Sequence, residues 1–372
     1  MVNVNELLDS LKPKTPSSVN TILIIIAVII LFSGVIQLRL MLSKKSQDKY
    51  GEVGLTIEPP VMNTTFENKS ILGDYHILGS YNSCCVGNYV DDSLSLKQLY
   101  NIIKNGIRLI DLEIFTVKGE TVVASSDNDK DFSRRGSKNT IKISECLETV
   151  KEALRNAPNK EDPFFIQFRM KTGIKHSYDE VAKQIRTKLQ NQLLSSLYTS
   201  NAKYLPYDIE NEFMSRLKSK VIIIVHDYSD ILESTYLYEY TNIHVPTASI
   251  KRVHELNHLS KQQTDEIIKR NKMSFSAVLP NNISTTNSNP NKSIELGFHE
   301  LLLNFQKQDS NYKNTMKMFV LDGNSRSFRK RKESNRNIPV EKTICSDNKP
   351  GDNMPSTAKI NVLGLSHVYS SG

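Results

Sequence analysis

Residues 72–85 read LGDYHILGSYNSCC. The stretch is predicted to be a strand carrying both His76 and Tyr81, whose odd separation turns their side chains to opposite faces. Beyond it, the apolar runs RLIDLEIF (108–115), ETVVAS (120–125), PFFIQF (163–168) and KVIIIV (220–225) have strand length and β-branched content. They alternate with helical stretches such as LSLKQLYNIIKNG (94–106), the order that βα units require. The pattern predicts an α/β protein, either a barrel or a doubly wound sheet.

The opening stretch also resembles the start of the X half of eukaryotic phosphoinositide-specific phospholipase C, LSHYFIASSHNTYL, without a gap. GIRLIDLEIF (106–115) resembles that family's GCRCVELDCW, and PFFIQFRMK (163–171) its PVILSLEVH. Later, IIKRNKMSFSAVLP (267–280) resembles FVRHNVGHLSRIYP, and TTNSNP (285–290) resembles SSNYNP. LGFHELLLNFQ (296–306) resembles GGCQIVALNFQ, with LNFQ its most specific part. The resemblance implies a distorted TIM-type (β/α)8 barrel of the phospholipase C-like phosphodiesterase superfamily. Its X-like half would occupy 66–175, a connection 176–200 and a Y-like half 201–332.

A chain of 372 residues with 38% hydrophobic content can bury a large core. Before the barrel, TILIIIAVIILFSGVIQL (21–38) is free of charge, and a single transmembrane helix is expected over 21–42. A short flank (1–20) precedes it and a juxtamembrane linker (43–65) follows. Lys12 and Lys14 before the span are offset by Glu6 and Asp9, whereas Arg39, Lys44, Lys45 and Lys49 follow it closely. The positive-inside rule then puts the barrel on the cytoplasmic side. Four sequons, at Asn63, Asn68, Asn282 and Asn291, would matter only in a secretory lumen. Cys84, Cys85, Cys146 and Cys345 have no zinc spacing and read as buried thiols in a reducing compartment.

The net charge of +8 comes with no zinc motif or aromatic stacking motif, so an anionic membrane surface is expected as partner rather than nucleic acid. The densest basic cluster, with Arg326, Arg329, Lys330, Arg331 and Lys332, is expected to form a lipid-facing patch. Beyond it, residues 333–372 are rich in Ser, Asn, Pro and Lys and are expected to be disordered.

Cleavage of a phosphoinositide needs a base for the inositol hydroxyl, an acid for the leaving diacylglycerol and positive charge on the phosphoryl oxygens. The resemblance implies two histidines and a calcium ion for these tasks. Tyr81 and Ser125 stand at the two histidine positions. Asn82, Asp111 and Glu113 match three calcium ligands, and Asp111 and Glu113 share one strand face. Arg169 stands at the fourth ligand position and is expected to occupy the place of calcium. The phosphate-binding lysines align with Ile224 and His226, an arginine with Ala277 and a tyrosine with Ser288.

The expectation is a membrane-anchored phospholipase C-like barrel without hydrolysis, binding anionic lipid headgroups or a protein. No cofactor is expected, and calcium only if the degenerate site binds it. Two alternatives stay open. One is an active, calcium-independent phosphodiesterase with a rebuilt site, where Arg169 supplies charge and His226 or Tyr81 moves a proton. The other is a structural membrane tether, for example in a large DNA virus.

Overall fold

A computed structural model describes residues 23–38, 63–67, 69–129, 132, 135–200, 209–323, 326–336, 359–362 and 365–368. The apolar runs become strands. In chain order they are β1 (Tyr75–Ser80), β2 (Leu109–Val117), β3 (Glu120–Ala124), β4 (Ile141–Lys142), β5 (Phe164–Met170) and β6 (Val221–Asp227). Then come β7 (Ile243–His244), β8 (Ile250–Arg252), β9 (Ala277–Leu279), β10 (Glu300–Leu303) and β11 (Phe328–Lys330). The main path runs β7-β6-β5-β2-β1-β10-β9-β8, with every neighbouring pair parallel. β3 and β4 form an antiparallel extension on β2.

The path curls into a barrel. Tyr81, just past β1, meets the guanidinium of Arg169 on β5 and that of Arg252 on β8, although β5 and β8 lie far apart in the strand order. Among the described residues no strand pairing joins β7 to β8, so the wall is left open between them. β5 and β6 are buried along their whole length, as strands covered on both faces must be.

Helices α1 (Leu96–Lys104), α2 (Ile143–Asn156) and α3 (Lys175–Leu189) cover the first half. Each has an apolar stripe at helical spacing; on α2 it is Ile143, Cys146, Leu147, Val150 and Leu154, all buried. The second half is less regular. Short 3-10 turns join β6 to β7 and β7 to β8, while α4 (Lys261–Asn271) precedes β9 and α5 (Ser310–Gly323) precedes β11. The distortion is therefore concentrated where α-helices give way to single turns.

The basic cluster departs from the sequence expectation. β11 pairs antiparallel with β1, so Arg326 and Arg331 are carried inward and buried. Arg326 donates to the Asn105 carbonyl at 2.8 Å, and Lys330 pairs with Glu67. Arg329 and Lys330 are half-buried and Lys332 alone of the five is exposed. A run of cations at the end of a barrel can serve as a seam as readily as a patch, and local composition does not distinguish the two.

Taken by itself, the N-terminal unit contains a helix at 23–38 with exposed, mostly apolar side chains. Its residues 23–38 cover about 24 Å at 1.5 Å per residue, short of the ~30 Å hydrocarbon layer. Among the described residues no helix is long and apolar enough to cross a membrane. Residues 21–22 and 39–42 of the expected span lie outside the described residues. Within the expected disordered tail, residues 359–362 pair antiparallel with 365–368, and 337–358, 363–364 and 369–372 lie outside the described residues.

Candidate functional site

Strand register assembles the site. Glu113, Arg169 and His226 are successive partners across β2, β5 and β6, so alternation turns all three toward the barrel interior. Asp111 lies one inward position below Glu113 and is register partner to Gln167. Asn82 follows β1 with φ of 43°, a left-handed conformation that Asn tolerates better than most residues.

The Arg169 guanidinium sits at the centre. Its Nε and Nη2 donate to Asp111 Oδ1 and Oδ2 at 2.8 and 3.0 Å, a bidentate pair. Nη2 also donates to Asn82 Oδ1 at 2.6 Å, and Nη1 lies 3.3 Å from Glu113 Oε1. Asp111 additionally accepts from the Asn82 backbone N–H at 2.9 Å and Gln167 Nε2 at 2.8 Å. Glu113 accepts from Ser126 N–H at 3.0 Å and Ser126 Oγ at 2.8 Å. Four donors thus saturate Asp111. Burial alone would push the Arg169 pKa down, but Asp111 and Glu113 hold it well above its ordinary value. Calcium demands several free hard oxygens, and these residues spend theirs on a permanent cation, so they do not fit the ion.

A second layer escaped the sequence reading. Lys171, two residues beyond Arg169 and on the same face, places Nζ 3.0 Å from Asp129 Oδ1, 3.1 Å from the Asn128 carbonyl and 4.3 Å from the centre of the Tyr228 ring. Arg252 donates from Nε and Nη2 to Asp129, 2.6 Å each, and from Nη1 to the Pro280 carbonyl. Burial opposes ionisation of Asp129, yet the Arg252 and Lys171 contacts hold its carboxyl well below the usual range. The i, i+2 alternation could have found Lys171, whereas Arg252 and Asp129 meet only through closure of the barrel. Arg169, Lys171 and Arg252 are thus balanced by Asp111, Glu113 and Asp129. A cavity of about 390 Å³ lies beside this layer, lined in part by Asn128, Asp129, Tyr228, Arg252, His254 and Asn282.

The residues at the histidine positions are immobilised. Tyr81 is fully buried, its ring 4.4 Å from the Arg169 guanidinium carbon, and its hydroxyl accepts from Arg252 Nη2 at 3.3 Å. Burial pushes its pKa up to about 12. Ser125 donates its hydroxyl to the Tyr89 carbonyl at 2.8 Å. His76 points away from the site, Nδ1 2.6 Å from the Phe298 carbonyl. His226 does face Arg169, but it is wholly buried and neither ring nitrogen has a hydrogen-bond partner. Burial pushes its pKa down to about 3, which removes it as a proton carrier near neutral pH.

That burial has a measurable consequence. Both His76 and His226 are held near 3 when folded against about 6.5 when unfolded, so their stabilising contribution is complete above pH 6.5 and lost as pH falls toward 3. Between pH 7 and 5 each should cost about 2 kcal/mol. A His226→Leu barrel should be as stable as the parent, or more so, at pH 7, because no hydrogen bond is lost. Its acid loss should shrink by about 2 kcal/mol in urea titrations at the two pH values, and an unchanged slope would refute the buried neutral state.

Comparison with known proteins agrees with this fold. Residues 69–227 match the family model "Phosphatidylinositol-specific phospholipase C, X domain", past the 175 boundary expected from sequence and through the end of β6. Over that segment the chain is therefore similar to an X domain of the phosphatidylinositol-specific phospholipase C family. Among solved structures it is similar to PLC21 of L. pealei, at 15% identity over 74% of this chain, with a TM-score of 0.55. It is likewise similar to PLC21 of S. officinalis, at 16% identity over 74% of this chain, with a TM-score of 0.53. The chain spans 39% of the length of either of those structures, and at such identity the likeness is one of fold. No curated protein matches the sequence.

Proposed function

We propose that this chain is a membrane-anchored phospholipase C-like barrel that binds lipid headgroups or a protein at a membrane and does not hydrolyse phosphoinositides. One observation carries the reading: the Arg169 guanidinium lies among Asn82, Asp111 and Glu113, the residues that the family resemblance assigns to calcium. Chemistry elsewhere in the site agrees with it. Tyr81, held near 12, is a poor base at neutral pH, and Ser125 is committed to a backbone carbonyl. The three cations near the barrel mouth are already paired with carboxylates, leaving little positive charge for a developing phosphorane. The cavity beside Arg252 remains as a place for a polar ligand.

Anchoring rests on the uncharged run 21–38, and a cytoplasmic barrel rests on the cations that follow it. The rebuilt-enzyme alternative has Arg169 in register with His226 and hydrogen-bonded to Asp111 in its favour, but the buried, neutral His226 leaves it without a proton carrier. The test is incubation of the full chain with vesicles containing radiolabelled phosphatidylinositol, with calcium and with chelator, beside an active phospholipase C. The expected result is no water-soluble inositol phosphate above background in either condition. Release in either would overturn the proposal.

A further inference from the structure

Two thiols distant in sequence meet behind the site. Cys84 follows Asn82 in the loop after β1, and Cys146 lies near the start of α2. Both are buried, with Sγ atoms 4.0 Å apart across 62 residues of sequence. Adjacent Cys85 turns elsewhere, its thiol interacting with Ser125 beyond β3. The CC pair is thus not two equivalent thiols: only the first faces α2.

We propose that Cys84 and Cys146 are a redox-closable staple, joined as a disulfide when the protein meets a small-molecule disulfide oxidant. Contact at 4.0 Å must shorten to a bond of about 2.05 Å, so each sulfur moves about 1 Å. One cysteine loses its proton, and the thiolate attacks a sulfur of the oxidant, expelling one thiol and leaving a mixed disulfide. The second cysteine, also deprotonated, displaces the remaining oxidant thiol and forms the internal bond. Two electrons pass to the oxidant, which ends as two thiols, with the two protons taken up by them. The hydrogen bond shared with Cys146, together with burial, pushes the Cys84 thiol well above its ordinary value, so closure proceeds slowly through opening of the loop after β1.

The bond would fasten the segment bearing Tyr81 and Asn82 to α2 and enclose β2, β3 and β4 in one covalent loop. In a reducing compartment the same residues serve as small apolar packing. An oxidising compartment would close them, so the redox state of this pair in cells reports which side of the membrane the barrel occupies.

The test uses the full chain in detergent micelles, incubated at pH 8 with oxidised glutathione or with dithiothreitol, then unfolded in N-ethylmaleimide and mapped by mass spectrometry without reduction. The expected product is a Cys84–Cys146 peptide pair lighter by two hydrogens, accompanied by a Tm rise of roughly 5–10 °C. Cys146→Ala should abolish both the pair and the shift. Maleimide on both residues after prolonged oxidation, or a dominant bond from Cys85 or Cys345, would overturn the proposal.

Discussion

Arg169→Met should destabilise the barrel by about 3–5 kcal/mol, read as a lowered urea midpoint with unchanged slope. The substitution nearly preserves volume, so packing is not the issue. It removes the cation from two carboxylates with almost no access to water: Asp111 loses two of its four donors and Glu113 its nearest guanidinium nitrogen. Lys171, 3.8 Å from Glu113, is committed mainly to Asp129 and compensates little. The diagnostic comparison is a triple variant adding Asp111→Asn and Glu113→Gln. With no unpaired charge left, most of the loss should return, because charge imbalance rather than the missing pair dominates the penalty. A mild effect of Arg169→Met alone would mean that water reaches these carboxylates, and a water-accessible site would weaken the argument against catalysis.

The site was legible only in part. Asp111 and Glu113 could be placed on one face because strand alternation is a two-residue rule, and aligned strand segments brought Arg169 opposite them. Lys171 obeys the same rule, but its partner Asp129 lies 42 residues away and nothing local marks the pair. Asp129 and Arg252 are 123 residues apart, and nothing local marks them as partners. The fold shows the same division. Uninterrupted apolar runs announce β5 and β6, which are buried on both faces, whereas β7, β8 and β9 are too short for a periodicity to develop. His226 reads as catalytic by residue type, but its depth in the barrel is a property of closure. The basic cluster was legible only in part, because a charge run says nothing about which of its members find carbonyl acceptors inside: Arg326 and Arg331 do, whereas Lys332 stays exposed.

The burial of Arg331 leads to the second large effect. Arg331→Met should cost about 3–5 kcal/mol, while vesicle binding by the surviving folded protein stays unchanged. Although 1% exposed, Arg331 donates from Nη1 to the Gly73 carbonyl at 2.6 Å and from Nη2 to the Asn271 carbonyl at 2.8 Å. Nη1 also lies 2.7 Å from His299 Nε2. One guanidinium thereby ties the segment before β1, the end of α4 and the approach to β10 to the last barrel strand. Burial pushes its pKa down to about 10, still high enough to keep it charged at neutral pH. Gly297, with φ of 77°, leaves room here, since a Cβ would lie 3.3 Å from Arg331 Nη2. Arg331→Lys should recover little, because one ammonium on a flexible stem cannot reproduce the planar fork that reaches separate acceptors. Exposed Lys332 is the control: Lys332→Ala should shift stability by less than about 0.5 kcal/mol. If this segment were instead a lipid patch, the two variants would show the reverse pattern, with sedimentation on anionic vesicles reduced by both and neither melting early.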